Sequence, residues 1–227
     1  MGSDVLPCYL VCDISFSMID YIDELNAGLR EFRGAVHAQR SVAARVSVCV
    51  VGFADVPCVV QPLRPALELA ELTGPGPDGG SRFGSVFTLL RDTIDRDVRR
   101  LGASRLRVRR PLVFFTSDGR PTDPDWPAAF AELVDPAWAA RPAVIAFGIG
   151  AADPVTLGRI GTSRVFLGQD GVRMGAALAA SVARADRTHV QGIHNVSTSG
   201  PLVRRTLSAN GPTQGSGADD HTSRADS

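Results

Sequence analysis

Lysine is absent from this 227-residue chain, and all 24 of its basic side chains are arginine. That absence removes every chemistry that needs a side-chain primary amine: a phosphate-loop lysine, a Schiff base, a kinase lysine. Excess charge is absent too, since 24 Asp and Glu balance the 24 arginines. A neutral chain sets up no global field toward nucleic acid or an anionic membrane, and neither is expected as a partner. No apolar run approaches the ~20 residues needed to cross a bilayer. Met1–Pro7 lacks the basic start and long apolar core of a secretory leader. Cysteine is limited to Cys8, Cys12, Cys49 and Cys58, with no CxxC pair and no Cys–His zinc spacing. These four are expected as small buried core residues in a reduced, cytoplasmic setting. The histidines (His37, His189, His194 and His221) are too scattered to offer a catalytic pair.

What the chain does have is a core's worth of apolar residues, 44% of the total, arranged as alternating strands and helices. Pro7–Asp13, Arg45–Phe53, Pro111–Thr116 and Ala143–Ile149 are short apolar runs of the kind found in buried parallel strands. Val56–Gln61 reads as a shorter edge strand paired hairpin-like with the run before it, and Val165–Leu167 as a short strand. Between them, Met18–Gln39 carries a stripe of Ile22, Leu25, Leu29, Phe32 and Val36 at helical spacing, with Ser17 placed as its N-cap. Phe83–Leu101, Pro127–Val134, Asp153–Ile160 and Gly171–Thr188 are the further helices, and Thr73–Ser81 is a Gly/Pro loop. The alternation predicts an α/β fold: a doubly wound, mostly parallel, Rossmann-like sheet with helices on both faces and one short antiparallel edge strand. Residues 1–192 are expected to form that domain. In residues 193–227 the apolar pattern fades into Ser, Thr, Gly and Asp, and a disordered tail is expected.

In such sheets ligands bind at the carboxyl ends of the strands, where strand order reverses. Asp13-Ile14-Ser15-Phe16-Ser17 follows the first strand, Ser117-Asp118-Gly119 follows the Pro111–Thr116 strand, and the glycine loop ending in Gly79-Gly80-Ser81 can fold over the same place. Together they offer two carboxylates and several hydroxyls. Hard oxygen donors of low total charge suit Mg²⁺, with Mn²⁺ or Ca²⁺ as alternatives. Two carboxylates leave such an ion roughly neutral, so a carboxylate from a partner can complete its shell. Two blander assignments stand beside this one. The seven arginines within Arg96–Arg110 read better as a solvated helix end and loop than as a basic patch, and Asp123 and Asp125 read as turn or helix-cap residues.

Asp13-x-Ser15-x-Ser17 resembles the DxSxS signature of von Willebrand factor A domains. In that family a Thr and an Asp from two later loops complete a metal-ion-dependent adhesion site. Gly79-Gly80-Ser81 stands in the place of the Thr loop, and Thr116-Ser117-Asp118-Gly119 is similar to the segment that supplies the Asp. Within the family, Leu6–Met18, Pro111–Asp123 and Ala143–Gly150 resemble the bacterial TerY-like group associated with tellurium resistance. The resemblance implies a non-enzymatic adaptor in a chemical-stress or phosphosignalling system, whose partner is a kinase, a metal-dependent Ser/Thr phosphatase or another tellurium-resistance protein. It also implies that Ser15 and Ser17 ligate the metal through their hydroxyls, that Asp13 and Asp118 hold it largely through water, and that Ser81 takes the Thr role. The chain departs from the family pattern at Ser81, which lacks the threonine methyl and its rotamer stiffness, and at Phe16, where glycine is usual. Phe16 and Phe83 are read as an apolar rim around the metal that contacts the partner. Two other classes remain open: a Mg²⁺-dependent phosphoester hydrolase of haloacid-dehalogenase type, and a scaffold that binds without metal. The hydrolase wants a second Asp where this chain has Ser15, and a later lysine or, occasionally, arginine.

Overall fold

The structure, a computed structural model, describes residues 4–72 and 79–197, with side chains through residue 187. Residues 73–78 of the expected glycine loop, and the expected tail from residue 198 onward, lie outside the described residues. By internal contacts the chain divides into Met1–Val190 and Gln191–Ser227. Of the second unit, only the helical backbone of residues 191–197 is described.

Seven strands form one sheet: β1 (Asp4–Asp13), β2 (Val46–Phe53), β3 (Cys58–Pro65), β4 (Arg107–Val108), β5 (Leu112–Ser117), β6 (Ala143–Gly148) and β7 (Arg164–Leu167). Their order is β3-β2-β1-β5-β6-β7, and β4 adds a short pairing at the start of β1. All pairs are parallel except β2 with β3. The helices are α1 (Ile22–Ala38), α2 (Arg40–Ala43), α3 (Phe83–Ala103), α4 (Trp126–Leu133), α5 (Pro154–Ile160) and α6 (Met174–Ser197). From β1 the chain passes to β2 on one side. From α3 it crosses to β5 on the other. The strand order therefore reverses between β1 and β5, which is where an open α/β sheet leaves a crevice.

Two cores sandwich the sheet, which is why its central strands are apolar on every residue rather than alternating. Leu6, Cys8, Leu10 and Cys12 of β1 face one core with Leu25, Leu29, Phe32 and Val36 of α1 and Leu178 and Val182 of α6. Tyr9 and Val11 face the other, with Phe83, Phe87 and Leu90 of α3, Trp126 and Phe130 of α4 and Leu157 of α5. The helical stripe Ile22, Leu25, Leu29, Phe32 and Val36 is buried along its whole length. In apolar surroundings, Cys8, Cys12 and Cys49 are pushed by burial up to about 12 and are unreactive as thiols.

Three expectations are corrected and one strand is added. The helix does not begin at Met18: a 3₁₀ turn, Phe16–Tyr21, comes first, and Ser17 caps nothing. Cys58 is exposed rather than buried, because edge strand β3 turns it to solvent. The β4 bridge was not foreseen, since two residues carry no period. Finally, α6 continues in its backbone through Ser197, beyond the point where the apolar stripe fades.

Candidate metal centre

The reversal of strand order brings together the carboxyl ends of β1 and β5, and with them Asp13 and Ser117-Asp118. Asp13 is fully buried. Its Oδ1 accepts the Ser15 backbone N–H at 3.0 Å, which folds the chain sharply after β1 and turns the Ser15 hydroxyl back toward the carboxylate. Its Oδ2 accepts the Ser117 hydroxyl at 2.7 Å from the neighbouring strand end. Ser81 reaches in from the loop before α3, donating to Ser15 Oγ at 2.8 Å, with Asp13 Oδ1 at 3.4 Å. Ser15 Oγ lies 3.2 Å from Ser17 Oγ, and Ser17 is exposed on the outer side of the cluster. Asp118 follows Ser117. Its Oδ1 accepts the Arg120 N–H at 3.1 Å, and Gly119, at φ +77°, makes the turn that a side chain would strain.

The loop carrying Ser81 is held from three sides. Asp55 accepts the Gly80 N–H at 3.0 Å, Arg82 donates its N–H to the Ala54 carbonyl, and Thr122 donates its N–H to the Ser81 carbonyl. Gly80 passes so close to Thr122 that a Cβ there would lie 2.6 Å from the threonine oxygen. Asp123 completes the support. Its two oxygens accept the Phe83 and Gly84 N–H groups at 2.9 and 2.7 Å, capping the first turn of α3 from another loop. The expected cap role of Asp123 thus acts on α3, two residues after Ser81, and not on the helix that follows Asp123 itself. The sequence offered Ser117 only as part of a strand-end segment and Asp123 only as a turn or cap residue, and gave neither its part in positioning the site. The strand-end position of Ser117 was the available signal for the first. The second depends on a tertiary contact that no local pattern carries.

Electrostatically the site is short of positive charge. Burial pushes the Asp13 carboxyl above its ordinary range, hydrogen bonds from Ser15 and Ser117 pull it down, and the charge of Asp118 raises it again. Among the described residues no arginine pairs with Asp13 or Asp118. Arg120, the nearest in sequence, donates to the Ala151 carbonyl instead. A buried carboxylate with no countercharge is costly unless a cation accompanies it. The oxygen spacing suits one: adjacent ligands of an octahedron with ~2.1 Å bonds stand ~2.9 Å apart, against 2.8 and 3.2 Å for the Ser81–Ser15 and Ser15–Ser17 pairs. Among the described residues no group of three or more His, Cys, Asp or Glu converges. The donor set is therefore hydroxyls and two carboxylates, hard ligands that fit Mg²⁺ better than a softer metal.

The expected apolar rim is half corrected. Phe83 is fully buried, edge-on to Phe53, Phe87, Phe115 and Trp126, because it is the first residue of α3 and its side chain drops into the aromatic core. Phe16 is 62% exposed beside the hydroxyl cluster. Ile19, Val56 and Val155 are also exposed, and each follows the carboxyl end of a strand (β1, β2 and β6). The arginine-rich stretch divides as well. Arg99 and Arg100 pair with Asp95 and Asp97 on α3, while Arg109 is buried against Asp186.

No protein-family model matches the sequence, and no curated protein does. Solved structures do match. The pilus adhesin SpaC from Lactobacillus rhamnosus GG, in its open conformation, superposes with a TM-score of 0.59 at 15% identity, over 82% of this chain and 30% of the adhesin. Proximal thread matrix protein 1 from the mussel byssus gives 0.54 at 18% identity, over 81% of this chain and 48% of that one. An aerotolerance-related membrane protein from Bacteroides fragilis, with multiple mutations to serines, gives 0.53 at 13% identity, over 80% of this chain and 99% of that one. The chain thus spans about half of the mussel protein and under a third of the adhesin. Among the described residues no helix is long and apolar enough to cross a membrane. At these identities the likeness is one of fold alone, and that fold is a doubly wound, mostly parallel α/β sheet with one antiparallel pair.

Proposed function

We propose that this chain is a protein-interaction module that grips an acidic side chain of a partner through a divalent cation, Mg²⁺ foremost. The observation that carries the reading is the convergence of Asp13, Ser15, Ser17, Ser81 and Asp118 at the sheet's switch point, with neither carboxylate paired to an arginine among the described residues. Ser15, Ser17 and Ser81 would hold the ion through their hydroxyls, and Asp13 and Asp118 through its water shell. When bound, the ion supplies an electrophilic position for a carboxylate from outside. Ser117, Asp123 and Asp55 keep the donors in place, and Phe16 offers apolar surface beside them. The resemblance to the TerY-like group supports a role for such a module in a chemical-stress or phosphosignalling system, with a kinase, a phosphatase or a tellurium-resistance protein as the gripped partner. Ser15 stands where a haloacid-dehalogenase-type hydrolase needs its second Asp, and the chain has no lysine to serve the phosphate, so binding is favoured over turnover.

Affinity capture with the full chain as bait, in Mg²⁺ and in EDTA, tests this. The expected outcome is a partner retained in Mg²⁺ and released by EDTA, and lost from Asp13→Ala and Asp118→Ala baits that remain folded. Capture that persists in EDTA would support a scaffold that binds without metal.

A further inference from the structure

At the opposite end of the sheet lies a cavity of about 600 Å³, within the range of small-molecule sites. Leu6 on its wall and Asp13 at the metal centre are both on β1, ~23 Å apart at ~3.3 Å per residue. The cavity opens where β1, β5, β6 and β7 begin and where α6 crosses them. Its floor is apolar, built from Leu6, Leu112 and Ile145. Its rim is cationic: Arg107, Arg109, Arg110, Arg164 and Arg184 all line it, with the hydroxyls of Ser163 and Ser181, and among the described residues no acidic side chain does.

These arginines divide by role. Arg109 is structural, since its buried guanidinium is neutralised by Asp186, which Arg45 shares. Arg110 spends its donors on the Arg141 and Pro142 carbonyls and keeps its charge. Burial, and after it the neighbouring charge of Arg141, hold its pKa below the ordinary value. Arg164 lies over the Phe166 ring, which orients it without neutralising it. Arg107 is exposed and makes no ion pair among the described residues. Several guanidinium groups around an apolar floor repel one another unless an anion joins them. Guanidinium planes take phosphate bidentately and stack on flat rings.

We propose that this cavity is a second ligand site, for a small organic polyphosphate of the nucleotide class, its ring on the Leu6–Leu112–Ile145 floor and its phosphates between Arg107, Arg110 and Arg164. Isothermal titration of the full chain in low salt and EDTA, with ATP, adenosine and tripolyphosphate as probes, tests it independently of any metal at Asp13. The expected result is one-to-one ATP binding. Adenosine and tripolyphosphate should each bind at least about tenfold more weakly, and Arg107→Gln/Arg164→Gln should lose about tenfold or more in ATP affinity, the loss expected from removing charge-assisted hydrogen bonds. Both positions are exposed, so the double variant should keep its thermal midpoint. Arg99→Gln, which removes a charge from the α3 surface away from the cavity, should leave ATP affinity unchanged. The proposal is overturned if ATP does not bind at low millimolar concentration, if Arg99→Gln weakens it as much as the double variant, or if tripolyphosphate binds as tightly as ATP.

Discussion

Asp186 shows how much can rest on one carboxylate. It joins α6 to the end of the sheet where β2 and β5 begin, by pairing with Arg109 at 2.8 Å and Arg45 at 2.7 Å. Asp186→Asn leaves the Arg109 guanidinium, 7% exposed, without its countercharge, and should cost about 3 kcal/mol in urea unfolding. Burial pushes the Asp186 carboxyl up, but the hydrogen bonds and charges of Arg45 and Arg109 outweigh it and hold the carboxyl below its ordinary value. The unfolded chain therefore binds the proton first as pH falls. The contribution is complete above the unfolded pKa of about 3.9 and is lost as pH drops through the lower folded value. Stability curves below about pH 4 should accordingly fall more steeply in the wild type than in Asp186→Asn. Asp123 works at the same scale on the metal centre. Asp123→Ala uncaps two N–H groups of α3, should cost about 1.5 kcal/mol, and should weaken the thermal response to Mg²⁺ because Ser81 loses its anchor. An undiminished Mg²⁺ response in that variant would show that the Ser81 loop does not depend on the cap. The sequence marked Asp123 as a turn or cap residue without the helix it caps, and gave no sign of the role of Asp186. Asp186 lies in an ordinary helical stretch, and its partners are 141 and 77 residues away.

Elements were the most legible scale where burial is two-sided or strongly periodic. The stripe of α1 and the unbroken apolar runs of β1, β5 and β6 needed no tertiary information, because the hydrophobic period alone decides them. Legibility failed where geometry departs from a period. After the Asp13–Ser15 turn the chain enters a 3₁₀ helix, Phe16–Tyr21, opened by the Met18 N–H donating to the Ser15 carbonyl, so the α-helix starts later than the stripe suggests. Phe83 and Phe16 look alike in sequence, each an aromatic beside a hydroxyl of the site, yet helix phase buries one and a turn exposes the other. Phe83→Ala should cost about 3–5 kcal/mol from the cavity left in the aromatic core. Phe16→Ala should leave the unfolding midpoint and the Mg²⁺ response unchanged while weakening partner capture. Loss of fold in Phe16→Ala, or no loss in Phe83→Ala, would contradict this division. At the start of the glycine loop, Asn26 of α1 exchanges two hydrogen bonds with the Leu72 backbone, at 3.0 and 2.8 Å. This is a long-range tether that helical periodicity cannot show.

For the whole molecule, strand–helix alternation was enough to predict a doubly wound sheet, and the sheet's topology explains why the DxSxS residues meet the Ser81 and Asp118 loops at all. The switch between β1 and β5 brings three distant segments to one end of the sheet, and the short β4 bridge and α6 build an arginine-lined cavity at the other. The first end was readable because motif residues follow strand ends. The second was not, because the arginines that line it come from β4 and its link to β5, the start of β7, and α6, and in sequence most resemble a solvated surface. The central claim, that the oxygen cluster holds a divalent cation, is tested most directly by the thermal unfolding midpoint of the purified chain as Mg²⁺ is titrated against an EDTA baseline, with Asp13→Ala in parallel. A native-state ligand at a hundredfold excess over its Kd adds about 2.7 kcal/mol. The account predicts a saturable rise in the wild-type midpoint and none in Asp13→Ala. Identical midpoints in Mg²⁺ and EDTA for the wild type would contradict it.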